Sequence, residues 1–284
     1  MRKLIKGLRE FKSGYFSSHR DLFESLSHGQ KPRVLFITCS DSRIVPNLIT
    51  QADVGDLFVI RNAGNIIPPY GAANGGEGAA VEYAIQALDI QQIVVCGHSH
   101  CGAMKGLLTL NKLEADMPLV YEWLKHAEAT RRLVKENYSD YQGEELLEVT
   151  IAENVLTQIE NLKTYPVVHS RLYQGKLMIF AWIYHLETGE VLAYDPVTHA
   201  YMPPQSQLPD FIPGEGPAPK EFVSTHAPVL DVPVACELPY PLQEEDGQTD
   251  GKGQLGGNGY SENPLAAWWL PTEQAERIYR GSTT

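Results

Sequence analysis

Val34-Leu35-Phe36-Ile37-Thr38-Cys39-Ser40-Asp41-Ser42-Arg43 is the stretch that decides the fold. Its first five residues are apolar or β-branched, and a thiol, a carboxylate and a guanidinium follow at once. A short apolar run bounded by polar residues indicates a buried strand of a parallel sheet. The side chains of Cys39, Asp41 and Arg43 are therefore expected at, or just past, the carboxyl end of that strand.

A second stretch, residues 93–102, repeats this arrangement. Its apolar start, Ile-Val-Val, leads into His98 and Cys101, two residues that bind metals. In an open parallel sheet, ligands bind beyond the carboxyl ends of the strands. If the two strands are neighbours, Cys39, His98 and Cys101 converge at one point. Two thiolates, one imidazole and an open position are the donor set of a catalytic zinc site, so we predict bound Zn²⁺.

The charge of this site suggests a role for Asp41 and Arg43. Zinc bound by two thiolates is formally neutral and should acidify a bound water less than a three-histidine site, where the pKa of that water is about 7. An additional acceptor is then needed to orient the nucleophile, and Asp41 is close enough to serve. Arg43 can hold this carboxylate bidentately and keep it ionised; if released, Asp41 could itself ligate the metal. The alternative is a purely structural ion pair.

The composition excludes several classes of protein. The 284 residues include 35 acidic and 23 basic side chains, a net charge of −12 that argues against nucleic acid and anionic membranes as partners. Four cysteines without framework spacing indicate a reducing compartment, and of these Cys96 is expected in the core and Cys236 to be a bystander. The longest apolar run, 177–184, is far shorter than the roughly 20 residues of a membrane span. With no apolar signal core at the N-terminus, a soluble cytoplasmic protein is expected.

Apolar periodicity predicts an α/β fold with a mostly parallel open sheet flanked by helices, about four parallel strands and one antiparallel edge strand. The expected strands are 33–38, 57–61, 92–96, 176–184 and the antiparallel 191–194. The expected helices are one or two within 1–29, then 76–88, one around 107–113, 118–135 and 144–162.

Three segments are expected along the chain. Residues 1–29 form a helical arm, residues 30–205 a catalytic domain, and residues 206–284 a Pro/Gly-rich extension that is largely disordered or binds a partner. Within the extension, Trp268 and Trp269 are adjacent. They are either a docking peptide, since tryptophan is favoured at binding hot spots, or they pack back onto the domain.

The combined motifs resemble those of the β-class carbonic anhydrases in their plant-like version. The resemblance rests on Cys39-Ser-Asp-Ser-Arg43 followed by Gly97-His-Ser-x-Cys-Gly102, and it covers roughly residues 1–200. The segments 61–65, 68–70 and 78–83 between these motifs also match. One departure is Ala63-Gly64, where the family more often has Val-Ala, which could alter the packing of the pocket wall or access to it.

This resemblance implies a zinc lyase that hydrates CO₂ reversibly to bicarbonate through zinc-bound hydroxide. It implies that Cys39, His98 and Cys101 are the zinc ligands and that Asp41 with Arg43 orients the nucleophile. The plant-like pattern further implies a CO₂ pocket, part of which comes from a neighbouring subunit, so that a dimer or larger homo-oligomer is expected. The implied pocket residues are Gln30, Phe58 and Tyr83.

The extension adds a weaker resemblance, to the carboxysomal branch of this family in cyanobacteria. In that branch the extension recruits the enzyme to a shell scaffold protein. By this resemblance, residues 206–284 tether the enzyme inside the carboxysome, where it serves photosynthetic carbon fixation, with Trp268 and Trp269 as anchors. No nucleic acid or membrane is expected as a partner.

The same residues allow three other functions. The glycines of Gly75-Gly76-x-Gly78 precede a helix, but they do not match the dinucleotide fingerprint and no ribose-binding acid follows, so close backbone packing is the better interpretation. Hydrolysis of CS₂ or COS uses the same ligands on the same fold. A scaffold-bound subunit with a vestigial site is disfavoured because all five site residues are present.

Overall fold

The computed structural model of the protein describes residues 1–73 and 75–204. Its strands are β1 Val34–Cys39, β2 Leu57–Asn62, β3 Gln92–His98, β4 Met178–Tyr184, β5 Val191–Asp195 and β6 Ala200–Met202. Its α-helices are α1 Arg2–Ser13, α2 Tyr15–Ser18, α3 Arg20–Ser27, α4 Pro46–Thr50, α5 Gly76–Gln86, α6 Gly102–Leu108, α7 Leu113–Asp116, α8 Pro118–Leu124, α9 Glu128–Asn137, α10 Gly143–Lys163 and α11 Pro166–Tyr173. Two 3₁₀ turns, Leu110–Lys112 and Lys125–Ala127, lie between helices.

The strands form one sheet in the order β2-β1-β3-β4-β5-β6. β1, β2, β3 and β4 pair in parallel, whereas β5 and β6 are antiparallel to their neighbours. The predicted α/β fold with a mostly parallel sheet is confirmed, and β1 and β3 are indeed neighbours. The prediction that 191–194 forms the edge was wrong, because β6 pairs with its outer side. The three residues of β6 precede Pro203-Pro204 and are too few to show a strand pattern.

The core lies on both faces of the parallel strands. Leu35, Phe36 and Ile37 of β1 are at most 1 % exposed, as expected of a strand covered on both faces. α10 packs against β3 at Gly97, where a Cβ atom would lie 2.9 Å from Cγ2 of Val155. This close approach requires glycine, and it brings α10 next to the carboxyl end of β3.

α10 also holds the loop that follows β2, and it does so with buried polar side chains. Asn154 Nδ2 donates to the Gly64 carbonyl at 2.9 Å, and Gln158 Oε1 accepts from the Ile67 amide at 2.9 Å. Asn154 and Gln158 are fully buried, and Gln158 Nε2 donates to Asn154 Oδ1. Buried polar groups need such partners, so the hydrogen bonds of Asn154 and Gln158 fix the loop relative to α10. The predicted apolar steps of α10 gave no indication of it.

Several helices differ from the predicted ones. The arm contains three short helices, and the helix expected over 118–135 is interrupted by the 3₁₀ turn Lys125–Ala127. Helix α11, Pro166–Tyr173, was not predicted. α10 does end before Pro166, but the same proline begins α11, because proline is tolerated in the first turn of a helix.

Within the described part of the chain, every helix is too short or too polar to cross a lipid bilayer.

Gly78, the last glycine of the motif Gly75-Gly76-x-Gly78, packs closely in α5, as predicted. A Cβ atom at this position would lie 3.2 Å from the hydroxyl oxygen of Tyr165.

Candidate metal centre

Three metal-binding side chains meet at the carboxyl end of the sheet. Cys39 is the last residue of β1, His98 is the last residue of β3, and Cys101 is the N-cap of α6. One donor atom from each, two sulfurs and a ring nitrogen, lie within 4.8 Å of one another. All three side chains are buried, with relative exposures of 5 %, 0 % and 1 %. The parallel pairing of β1 with β3 produces this convergence, as the sequence analysis expected.

The orientation of the His98 ring leaves one nitrogen available for a metal. Nδ1 lies 2.9 Å from the backbone carbonyl of Ser99, which makes it the protonated nitrogen. Nε2 is buried and has no hydrogen-bond partner within the described residues. A buried polar atom without a partner is costly, whereas a metal-binding histidine typically donates its other N–H to a carbonyl or carboxylate. The ring is thus arranged as a metal ligand through Nε2.

The two buried thiols cannot both ionise easily without a cation. A hydrogen bond from the Cys101 thiol lowers the pKa of Cys39 to about 4, and the backbone amide of Gly64 lowers it further. The same bond, together with burial and the Cys39 charge, raises the pKa of Cys101 far above its ordinary value. The pair therefore holds one negative charge and resists the second. A divalent cation compensates both charges, so the donor set fits zinc.

Asp41 lies beside this cluster and is held by Arg43. Arg43 Nε donates to Asp41 Oδ1 at 2.9 Å and Nη2 donates to Oδ2 at 2.7 Å, while the Arg43 backbone amide also donates to Oδ1. These bonds hold the pKa of Asp41 well below its usual range. Asp41 Oδ2 is 3.9 Å from His98 Nε2, which is beyond hydrogen-bond distance. In this structure Asp41 is thus paired with Arg43 and directed towards the cluster.

Arg61 has a role that could not be predicted from the sequence. From the neighbouring strand β2, its Nε donates to the Cys39 carbonyl at 3.1 Å, and its Nη2 donates to the carbonyls of Asp41 and Ile44 at 2.7 and 3.0 Å. The loop after β1 is therefore held by one guanidinium. The only available indication was an arginine at the end of the predicted apolar strand 57–61.

The segment that carries His98 is held from the β4–β5 turn. Ser99 Oγ donates to Glu187 Oε2 at 2.8 Å and accepts from the Leu186 amide at 2.9 Å. His100 Nε2 contacts Glu187 Oε1, and Nδ1 lies 3.2 Å from Glu144 Oε2. Glu187 was not predicted, since nothing in the sequence relates it to a residue 88 positions earlier.

The predicted pocket residues do not join Cys39 within one chain. Phe58 and Tyr83 contact each other, with ring centroids 6.0 Å apart. The β1–β2 register pairs Phe58 with Leu35 and Asn62 with Cys39. Phe58 therefore lies four residues along the strand direction from Cys39, which corresponds to about 13 Å. Gln30 is exposed in the segment between α3 and β1, and 49 % of Tyr83 is exposed. Trp268 and Trp269 lie outside the described residues.

Comparisons with known proteins agree with the fold and the cluster. A family model described as carbonic anhydrase matches residues 34–191, which include Cys39, His98, Cys101 and the Asp41–Arg43 pair. A solved structure described as the β-carbonic anhydrase CcaA is 70 % identical, with a TM-score of 0.71; the match covers 72 % of this chain and 99 % of that chain. The chain belongs to the carbonic anhydrase family, in its β class, and is an enzyme of that activity.

Two cyanobacterial relatives match along the whole chain. A carbonic anhydrase of Synechocystis is 60 % identical over 285 residues, covering 99 % of this chain and 100 % of its own length. A carbonic anhydrase of Synechococcus elongatus is 56 % identical over 284 residues, covering both chains completely. Both carry the name of a carbonic anhydrase rather than of a CS₂ or COS hydrolase, which favours CO₂ hydration over that alternative.

Proposed function

We propose that this carbonic anhydrase hydrates CO₂ reversibly with one Zn²⁺ held by Cys39, His98 and Cys101. The observation that carries the proposal is the convergence, within 4.8 Å, of two buried sulfurs and a ring nitrogen that has no hydrogen-bond partner among residues 1–73 and 75–204. Three protein ligands leave one position for a fourth, as in catalytic zinc sites. When bound there, zinc would make water a competent nucleophile near neutral pH.

The protein supplies the orientation of that nucleophile. Because the forked contact with Arg43 keeps Asp41 ionised, the carboxylate is a hydrogen-bond acceptor only, with lone pairs left on Oδ2. Oδ2 is the oxygen nearest to His98 Nε2, at 3.9 Å. A nucleophile bound at the open position would donate a hydrogen bond to Asp41 and keep its remaining lone pairs available to CO₂. Arg43 also prevents Asp41 from occupying the open position itself.

We further propose that residues 30–205 form the catalytic domain and that a second copy of the chain completes its pocket. Gln30, Phe58 and Tyr83 are the proposed pocket residues, and the β1–β2 register keeps Phe58 about 13 Å from the metal end of its own chain. A two-fold arrangement would bring these residues of one copy to the ligands of the other. The exposed faces of Tyr83 and of the helical arm 1–29 are consistent with such an assembly.

For residues 206–284 we propose tethering to a carboxysome scaffold protein, with Trp268 and Trp269 as anchors. Support comes from the Pro/Gly-rich composition and from the two cyanobacterial relatives, which match along the extension as well as the catalytic region. Truncation after residue 205 should leave hydration activity and abolish binding to the scaffold. A truncated protein that still binds the scaffold contradicts the tether.

The direct test of the metal proposal is the zinc content of the purified full-length protein together with its rate of CO₂ hydration by stopped flow. We expect one zinc per chain, and loss of hydration when a chelator removes the metal, with recovery when zinc is returned. Metal-free protein that is fully active would refute the proposed site.

A further inference from the structure

The peptide group between Ala63 and Gly64 makes a hydrogen bond at each end. At its oxygen, Trp123 Nε1 donates to the Ala63 carbonyl at 2.8 Å. At its nitrogen, the Gly64 amide donates to Cys39 Sγ at 3.4 Å. We propose that Trp123 is a positioning residue for the Cys39 ligand, acting through this one peptide group. The proposal rests on the metal site proposed above.

The geometry allows this chain of bonds to run in one direction only. An indole nitrogen is a donor and never an acceptor, so Trp123 must donate to the carbonyl. A hydrogen bond accepted by the carbonyl polarises the peptide and makes its amide a stronger donor. The Gly64 amide donates to Cys39 Sγ, which would be a charged thiolate in the metal-bound state. A hydrogen bond to a charged acceptor is stronger than one between neutral groups. Trp123 thus influences Cys39 without touching it.

The peptide group has little freedom to reorient. Gly64 has a φ of +84°, and a Cβ atom there would lie 2.7 Å from Cε of Met104 and 3.1 Å from Cβ of Ala103. The following peptide is held by Asn154, whose Nδ2 donates to the Gly64 carbonyl. Because this loop is packed against α6, which begins directly after Cys101, a shift of the 63–64 peptide would affect both sulfur ligands.

This packing explains why glycine follows Ala63 at position 64. At residue 64 the chain adopts a conformation that glycine accepts readily, and there is no room for a side chain between the loop and α6. The backbone therefore approaches Cys39 closely enough for its amide to reach the sulfur. Trp123, half-buried on α8, donates to the same loop at the Ala63 carbonyl.

The test compares two Trp→Phe variants of the full-length protein. Trp123→Phe removes the donor to Ala63, whereas Trp182→Phe removes a buried indole nitrogen that has no hydrogen-bond partner within the described residues. A third variant replaces the Trp123 indole by benzothiophene, which keeps the ring shape and loses only the N–H. Circular dichroism and thermal unfolding establish that each variant is folded.

Two readouts report on the ligand rather than on turnover. One is the rate at which a chelator removes zinc; loss of an outer-shell partner typically weakens metal binding by about tenfold to a hundredfold. The other is the sulfur-to-metal charge-transfer band of the cobalt-substituted protein, which should move to lower energy when the sulfur loses hydrogen-bond strength. We expect both changes in Trp123→Phe and in the benzothiophene variant, and neither in Trp182→Phe.

The outcomes separate the two proposals. If the unmodified protein binds one zinc per chain but the benzothiophene variant keeps the original zinc release and band position, the role of Trp123 is refuted and the metal site stands. If Trp123→Phe changes both readouts and the benzothiophene variant does not, the indole acts by its volume and the proposal is likewise refuted. If the unmodified protein binds no zinc, the metal site fails and the role of Trp123 fails with it.

Discussion

Arg43 meets Asp41 in a forked geometry, with Nε and Nη2 donating to the two carboxylate oxygens at 2.9 and 2.7 Å. Arg43 Nη2 also reaches the His100 carbonyl at 3.2 Å. One guanidinium therefore connects the carboxylate that we propose orients the nucleophile to the segment that carries two of the proposed ligands. A lysine could not reproduce this contact, because a forked pair of bonds needs the planar guanidinium.

Arg43→Ala should retain zinc and lose most hydration activity. Without the fork, the pKa of Asp41 returns towards its ordinary value and the carboxylate is free to turn towards the metal. A positioned proton acceptor is worth about a hundredfold or more in rate, so a loss of that order is expected in stopped-flow assays. Asp41→Asn should likewise retain zinc and lose most hydration activity.

The matched control is Arg33→Ala, which removes an exposed arginine just before the opposite end of β1. It should leave zinc content and rate unchanged. Full activity in Arg43→Ala would show that the Asp41–Arg43 pair is only structural.

Cys39→Ser should lose the metal. A serine hydroxyl stays protonated at neutral pH and is a poor zinc ligand, so two ligands remain where three are needed. Zinc per chain, measured after dialysis against a weak chelator, should fall to a small fraction. Cys96→Ser is the control, since Cys96 is buried on β3 with its pKa raised to about 12 by burial. Equal zinc content in both variants would remove Cys39 from the ligand set.

Glu187→Gln should loosen the metal without removing it. Glu187 fixes Ser99, whose carbonyl holds His98 Nδ1, so the ligand ring loses part of its support. A weakening of zinc binding by about tenfold is expected from outer-shell substitutions of this type, measured by competition with a chromogenic chelator. Glu190→Gln in the same turn has an exposed side chain and should have no effect. Identical zinc affinities in the two variants would argue against support from this turn.

A mixture of two inactive variants should regain activity if the pocket is shared. Cys39→Ser has intact pocket residues, and Phe58→Ala has intact ligands. In a mixed two-fold assembly, one site combines the intact ligands of the Phe58→Ala chain with the intact pocket residues of the Cys39→Ser chain. The two proteins are unfolded and refolded together, and the hydration rate is compared with each protein refolded alone. A rate no higher than that of the better parent would place pocket and metal in the same chain.

Glu128→Gln should reduce stability at neutral pH but not in acid. Hydrogen bonds from Arg131, and then from Arg132, lower the pKa of Glu128 to about 2. The stabilisation is complete above the unfolded-state pKa of about 4.3 and is lost as the pH falls towards the folded value. Urea unfolding at several pH values should show a difference from the unmodified protein that shrinks below about pH 4. Glu136→Gln, an exposed residue of the same helix, should show no such trend; a gap independent of pH would contradict the ion-pair explanation.

The sequence was sufficient for the parts of the site that lie at the ends of strands. Cys39 and His98 each follow an apolar run that a parallel sheet buries, so their meeting depended only on β1 and β3 being neighbours. Arg61, Trp123 and Glu187 could not be found in this way. Arg61 and Trp123 bond to backbone carbonyls, and Glu187 accepts from the Ser99 hydroxyl, each across a long chain separation. No periodicity or spacing indicates which distant group such a side chain will reach.

The fold shows the same division. The four parallel strands follow from runs of apolar residues, whereas β6 has three residues and α11 begins at a proline that also marks the end of the preceding helix. The local sequence contains too few residues to predict a strand as short as β6, and it does not show that one proline can both follow one helix and begin the next. The polar side chains of α10 were missed because amphipathic patterns equate a buried face with an apolar one, and Asn154 and Gln158 are buried as hydrogen-bonded partners of a loop.

Arg61 donates to three carbonyls of the segment that carries both a proposed sulfur ligand, Cys39, and the proposed orienting carboxylate, Asp41. Metal affinity and nucleophile alignment consequently share one mechanical support. Redesign of this enzyme for a different ion could not adjust either property alone by editing that turn; the adjacent strand would have to be re-engineered with it, as one unit.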